Sequence, residues 1–174
     1  MSDHSTVPVL GFVAPSGTGK TTLLKSLIKM LKTTGIRVAV IKHSHHDFEI
    51  DKPGKDSYEL RVAGAEQMLI ASKYRSALIT DNHHHEKEPK LSDLVSRLDH
   101  SQLDLILVEG FKHEHFEKIE CYRAAIKQTP LFLSDPDIIA IATDAPQVFG
   151  DKIDCMDIND VKQVFQFILR RYHL

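Results

Sequence analysis

The chain has 174 residues, 42% of them hydrophobic, enough for one compact domain with a real core and no need of covalent staples. A formal charge of −2 gives no basic footprint for nucleic acid, and the two cysteines, Cys121 and Cys155, fit neither a disulfide framework nor a zinc ribbon. No apolar run approaches a membrane span and residues 1–6 lack a signal-peptide core, so the expectation is a cytoplasmic protein without a membrane or nucleic-acid partner.

Residues 1–6 read as a disordered tail, ahead of a single nucleotide-binding domain over 7–174. Residues 7–13 form an apolar run of the kind found in buried parallel strands. Ala14-Pro15-Ser16-Gly17-Thr18-Gly19-Lys20-Thr21-Thr22 follows and opens an amphipathic helix marked by Leu24, Leu27, Ile28 and Leu31, with Gly35 as its stop. Strand, glycine-rich loop and helix in this order make a phosphate-binding P-loop, with Ala14 in place of the usual first glycine.

The chemistry explains the spacing. Gly17 and Gly19 let backbone N–H groups turn inward around an oxyanion, and the helix directs its positive end at the same place. Ser16, Gly17, Thr18, Gly19, Lys20, Thr21 and Thr22 are the candidate phosphate contacts. Lys20 reaches the β and γ phosphates, and Thr21 is a ligand for Mg²⁺.

Residues 37–42 read as a second strand, and the polar stretch 43–57 as a long functional loop with Pro53 and Gly54 at its centre. This loop could orient water, Mg²⁺ or a second substrate, and Asp47 and Asp56 are its candidate catalytic carboxylates. His45, His46 and Asp47 also suit a transition metal, although adjacent histidines on an extended chain face opposite ways. Residues 57–63 suit a short helix ended by Gly64, and Gln67–Ala71 with Ser76–Thr80 suit a hairpin turning through 73–75. Residues 81–90 read as a charged loop in which His83, His84 and His85 are solvated, and 91–98 as a helix.

Residues 103–108 are the most strand-like in the chain and end in Glu109-Gly110, the arrangement that sets a carboxylate near Mg²⁺; Glu109 is the candidate Walker B acid. Lys118–Tyr122 and residues 138–142 supply further strands. After the latter, Asp144 is placed to accept hydrogen bonds from N1 and the 2-amino group of guanine, with a plain turn before Pro146 as the competing reading. Val161, Val164, Phe165, Ile168 and Leu169 mark a terminal helix capped by Asp157 or Asn159. Alternating strands and helices around a P-loop predict an α/β fold of the P-loop NTPase type. Its doubly wound, mostly parallel sheet has helices on both faces and a short antiparallel extension.

Four segments together resemble the molybdopterin-guanine dinucleotide biosynthesis adaptor proteins, the MobB family: Ser16 to Thr22, Ile41-Lys42-His43 through His46-Asp47, Asp51-Lys52-Pro53-Gly54-Lys55-Asp56-Ser57-Tyr58-Glu59-Leu60-Arg61, and the strand ending Glu109-Gly110-Phe111-Lys112. The resemblance implies a homodimer that binds GTP and Mg²⁺ and hydrolyses GTP weakly. It also implies an adaptor role toward a MobA-type molybdopterin guanylyltransferase, which joins GMP to molybdopterin, and leaves direct contact with molybdopterin open. The phosphate loop then maps onto Ser16 to Thr22 and the acidic strand end onto Glu109, while Asp47 or Asp56 positions water. Slow turnover suits a chain with no evident arginine finger in cis. A GTP-gated metallochaperone and a small-molecule kinase are the alternative readings.

Overall fold

The computed structural model describes residues 7–44, 48–82 and 88–174. The chain divides into two compact units, one built up to His43 and from Leu91 onward, the other spanning Ser44–Lys90.

The larger unit holds six strands: β1 (Val9–Val13), β2 (Val38–Lys42), β5 (Leu105–Glu109), β6 (Lys118–Tyr122), β7 (Ile138–Thr143) and β8 (Asp154–Asp157). They form one sheet in the order β2-β5-β1-β6-β7-β8, and every neighbouring pair is parallel. From β1 the chain runs to the β2 side, and later it returns to build β6, β7 and β8 on the other. The carboxyl end of β1 therefore lies where the strand order reverses, the usual ligand position of such sheets.

Helices α1 (Lys20–Thr33) and α4 (Val161–Tyr172) cover one sheet face. Leu23, Leu24, Leu27 and Leu31 of α1 and Val164, Phe167 and Ile168 of α4 meet Leu10, Phe12, Leu107, Ile119 and Ala140 there. Each fully buried leucine contributes about 1.5–3 kcal/mol. The predicted helix stripe holds, with Leu23 added and Ile28 only partly buried.

The second face carries Ile41, Ile106 and Val108, covered by the short helix α3 (Leu91–Val95) and by Phe111. Further along, two buried charges attach irregular segments to this face. Lys118 Nζ donates to Glu114 O (2.8 Å) and pairs with Asp135 (2.9 Å), while the Glu120 carboxylate accepts from Leu131 N (2.8 Å) and Phe132 N (3.0 Å). Burial raises the Glu120 carboxyl above its ordinary range, and the two N–H donors oppose that rise.

The smaller unit contains α2 (Asp56–Val62) and an antiparallel hairpin of β3 (Gln67–Ala71) and β4 (Ser76–Thr80). Arg61, largely but not fully buried, binds Glu49, Asp51 (3.2 Å) and Asp81 (3.5 Å) and lies over the Tyr58 ring. The hairpin pairs Leu69 with Leu78, and these are 64% and 58% exposed.

Several boundaries differ from those read in the sequence. The predicted 91–98 helix closes its α-helical part at Val95, and β8 was not anticipated. The cap of α4 is Asp160, which accepts from Lys162 N at 3.0 Å; Asp157 is already committed to Asn159 N at 2.8 Å. The expected tail 1–6 and the histidines His83, His84 and His85 lie outside the described residues.

Candidate functional site

The loop between β1 and α1 turns on two left-handed glycines, Gly17 at φ +83° and Gly19 at φ +89°. A side chain in that region is strained, which is why the sequence needs glycine at both positions. Thr18 between them is buried, and its Oγ1 donates to Pro15 O at 3.1 Å, closing the loop on itself. Ser16, Gly17, Gly19, Thr21 and Thr22 are exposed.

Gly19 is the N-cap of α1, so no side-chain acceptor competes for the first N–H groups, and the first turn carries no acid. No acid of the helix itself opposes the dipole there, the arrangement that favours an anion. Ser16 to Thr22, the candidate phosphate contacts, all lie on this loop and the first turn of α1.

Three charges meet beside the loop. Lys20 Nζ lies 3.5 Å from Glu109 Oε1, and Lys42 Nζ lies 3.9 Å from Glu109 Oε2. Sheet register explains the second contact, because Lys42 and Glu109 are partners on adjacent parallel strands. Gly110 follows at φ +104°, with an added Cβ placed 2.7 Å from the His43 Cβ. Only glycine lets the two strand ends approach so closely. Phe111 then takes φ 53° and stacks on the His43 ring, centroids 4.5 Å apart, while His43 N donates to Glu109 O at 2.8 Å. Glu109 is thus fixed by its own backbone as well as by two ammonium groups.

Asp144, the candidate guanine contact, directly follows β7 and has part of its carboxylate engaged. Its Oδ1 accepts from Ala124 N at 3.0 Å, and its Oδ2 lies 3.6 Å from Arg123. A carboxylate has about four lone-pair directions, so acceptor capacity remains for a base edge.

Arg123 itself was missed in the sequence. Its Nε donates to Thr18 O at 2.9 Å and its NH2 group to Asn159 Oδ1 at 3.0 Å, joining the phosphate loop to the ends of three strands. The available signal was a cation directly after the short strand Lys118–Tyr122. Its closeness to the P-loop depended on β6 lying beside β1, which local pattern does not state.

Asp56 opens α2 in the smaller unit, and Asp47, with His45 and His46, lies outside the described residues. Among the described residues no three His, Cys, Asp or Glu side chains are arranged to hold a metal ion. Cys121 is no nucleophile: burial pushes its thiol up to about 12, and it packs as an apolar residue in the core under α1. No described helix is long and apolar enough to cross a membrane.

Comparison with known proteins gives the family. The chain is 50% identical over 170 residues to the molybdopterin-guanine dinucleotide biosynthesis adapter protein of Escherichia coli K12, covering 97% of this chain and 95% of the relative. It is 39% identical to the protein of the same name from Haemophilus influenzae, over 98% of this chain and 92% of the relative. Among solved structures, a crystal structure of molybdopterin-guanine biosynthesis protein B superposes with a TM-score of 0.72 at 25% identity, over 94% of this chain and 99% of that one. The Bacillus subtilis MobB structure shares the fold at a TM-score of 0.71 and 20% identity, over 95% of this chain and 98% of that one. The family model for molybdopterin guanine dinucleotide synthesis protein B matches residues 9–144, from β1 through Asp144, and the chain belongs to that family.

Proposed function

We propose that this protein binds GTP with Mg²⁺ at the β1–α1 loop, hydrolyses it weakly, and acts as an adapter when GMP is attached to molybdopterin. The name shared by the Escherichia coli and Haemophilus influenzae relatives supports the biosynthetic role. The observation that carries the nucleotide reading is the junction of Lys20 and Glu109 at the start of a helix whose N-cap, Gly19, offers no side-chain acceptor.

In this reading Lys20 and the backbone N–H groups from Ser16 to Thr22 hold the β and γ phosphates. Thr21 and Glu109 are the residues that would hold Mg²⁺, which supplies charge neutralisation on the phosphate oxygens. The water-positioning role read from the sequence for Asp47 and Asp56 remains part of the proposal, as does guanine selection by Asp144. Residues 7–174 act as one nucleotide-binding domain, in the cytoplasm.

The partner in this proposal is a MobA-type molybdopterin guanylyltransferase, and the active form is a homodimer. Support for self-association comes from the hairpin β3–β4: two strands alone are marginal in water, and this pair exposes Leu69 and Leu78 side by side. Titration calorimetry with GTP and with ATP, in Mg²⁺ and with or without the guanylyltransferase, tests the whole reading. GTP preference strengthened by the partner supports it; ATP preference without a partner effect overturns it.

A further inference from the structure

Arg123 lies at the centre of four strand ends yet has no part in the roles given above. Its guanidinium reaches Thr18 O (2.9 Å) on the phosphate loop, Asn159 Oδ1 (3.0 Å) after β8 and Asp144 Oδ2 (3.6 Å) after β7. Asn159 is itself held, since its N and Nδ2 both donate to Asp157 Oδ1 at 2.8 and 3.1 Å. The backbone directly after Arg123 is pinned as well, through Ala124 N on Asp144 Oδ1 at 3.0 Å. A planar fork with fixed donors, anchored this way, cannot be replaced by a single ammonium point charge.

We propose that Arg123 is a positioning residue for the phosphate loop, acting on bound nucleotide through the Thr18–Gly19 peptide. A trans peptide is planar, with its C=O and its N–H pointing in opposite directions. Drawing Thr18 O toward Arg123 therefore turns Gly19 N–H to the opposite side, into the cradle. An ideal Cβ at Gly19 lies 3.6 Å from Arg123 NH2, so the guanidinium packs directly against this peptide. Without the arginine the Thr18–Gly19 plane is free to flip, and the loop loses a donor aimed at the α and β phosphates together with a nearby positive charge.

The inference rests on the proposed nucleotide site, and its test separates the two. Affinities for GTP, GDP and inorganic tripolyphosphate are measured in Mg²⁺ for the wild-type chain, Arg123→Ala, Arg123→Lys and Asn159→Ala, with thermal melts on each. The expected result is loss of about tenfold in all three ligands for Arg123→Ala, the size of one charge-assisted hydrogen bond. Arg123→Lys should fail to restore it, and Asn159→Ala should give a smaller loss in the same three ligands. Tripolyphosphate is the decisive ligand, because it has no base and reads the loop alone. Wild-type binding with tripolyphosphate affinity unchanged in folded Arg123→Ala, or in Arg123→Lys where the alanine variant does not fold, overturns the positioning role. Absence of any binding by the wild-type chain overturns the nucleotide site itself, and the inference with it.

Discussion

Lys20 and Glu109, one from the start of α1 and one from the end of β5, meet at 3.5 Å, with Lys42 on the other side of the carboxylate at 3.9 Å. The acid is balanced between two cations, and Lys20 is the one placed at the phosphate loop.

Lys20→Ala should therefore abolish GTP binding and leave the fold intact. The side chain lies outside the buried core, and Glu109 keeps Lys42 as a partner. Calorimetry paired with a circular dichroism melt checks both halves. GTP affinity retained in this variant would remove Lys20 from the phosphate site.

Asp144→Asn should relax the preference for guanine by one or two hydrogen bonds, about 1–3 kcal/mol. The amide oxygen still accepts from Ala124 N, so the local chain is preserved. Competition between GTP and ATP gives the readout, and an unchanged ratio would place base recognition elsewhere.

Gly11→Ala tests the second sheet face. A Cβ there would lie 2.7 Å from Lys118 Cγ and 2.7 Å from Phe116 Cε2. Lys118 has no room to yield, being 1% exposed and tied to Glu114 O and Asp135. Overpacking should lower stability by about 1–3 kcal/mol, seen as a lower urea midpoint with an unchanged slope.

Acid should weaken the β2–β5 edge before it weakens the core. Hydrogen bonds from the Arg37 side chain and backbone N, aided by its charge, hold the Asp104 carboxyl at about 2. Its unfolded value is about 3.9, so the folded state binds fewer protons in this range and the contribution to stability is complete above roughly pH 5. It is lost as pH falls toward 2. Asp104→Asn should be less stable than wild type at pH 7, with the difference shrinking across that window in urea melts at stepped pH.

The hairpin gives a prediction about assembly. Leu69→Asp combined with Leu78→Asp places charge on the exposed apolar pair and should convert a dimer to a monomer in sedimentation velocity, with α1 and the sheet unaffected. A dimer that persists would assign the interface to another surface.

The P-loop was legible because its requirements are local: glycine where φ is positive at 17 and 19, lysine and threonine at the helix start, an apolar strand before them. Glu109 was legible for the same reason, as the polar end of an apolar run. The element pattern of parallel strands and helices followed from hydrophobic periodicity, and the short polar-ended β8 escaped because four residues carry too little of it. The cap of α4 reads as Asp157 or Asn159 but is Asp160, since all three are good capping residues and only the backbone path chooses between them.

What the sequence by itself determined is the type of most main elements and the positive-φ turns of the glycine-rich loop, because backbone conformation and amphipathic spacing depend on near neighbours. The tertiary structure decided which strand lies beside which. By placing β5 and β6 on either side of β1, it brought Glu109 to Lys20 and carried Arg123 to Thr18 across a separation of 105 residues. It also decided that Lys118 and Glu120 would be buried under the segments they anchor. Ladder register and the desolvation of a charge are set by partners distant in the chain, so no local pattern contains them.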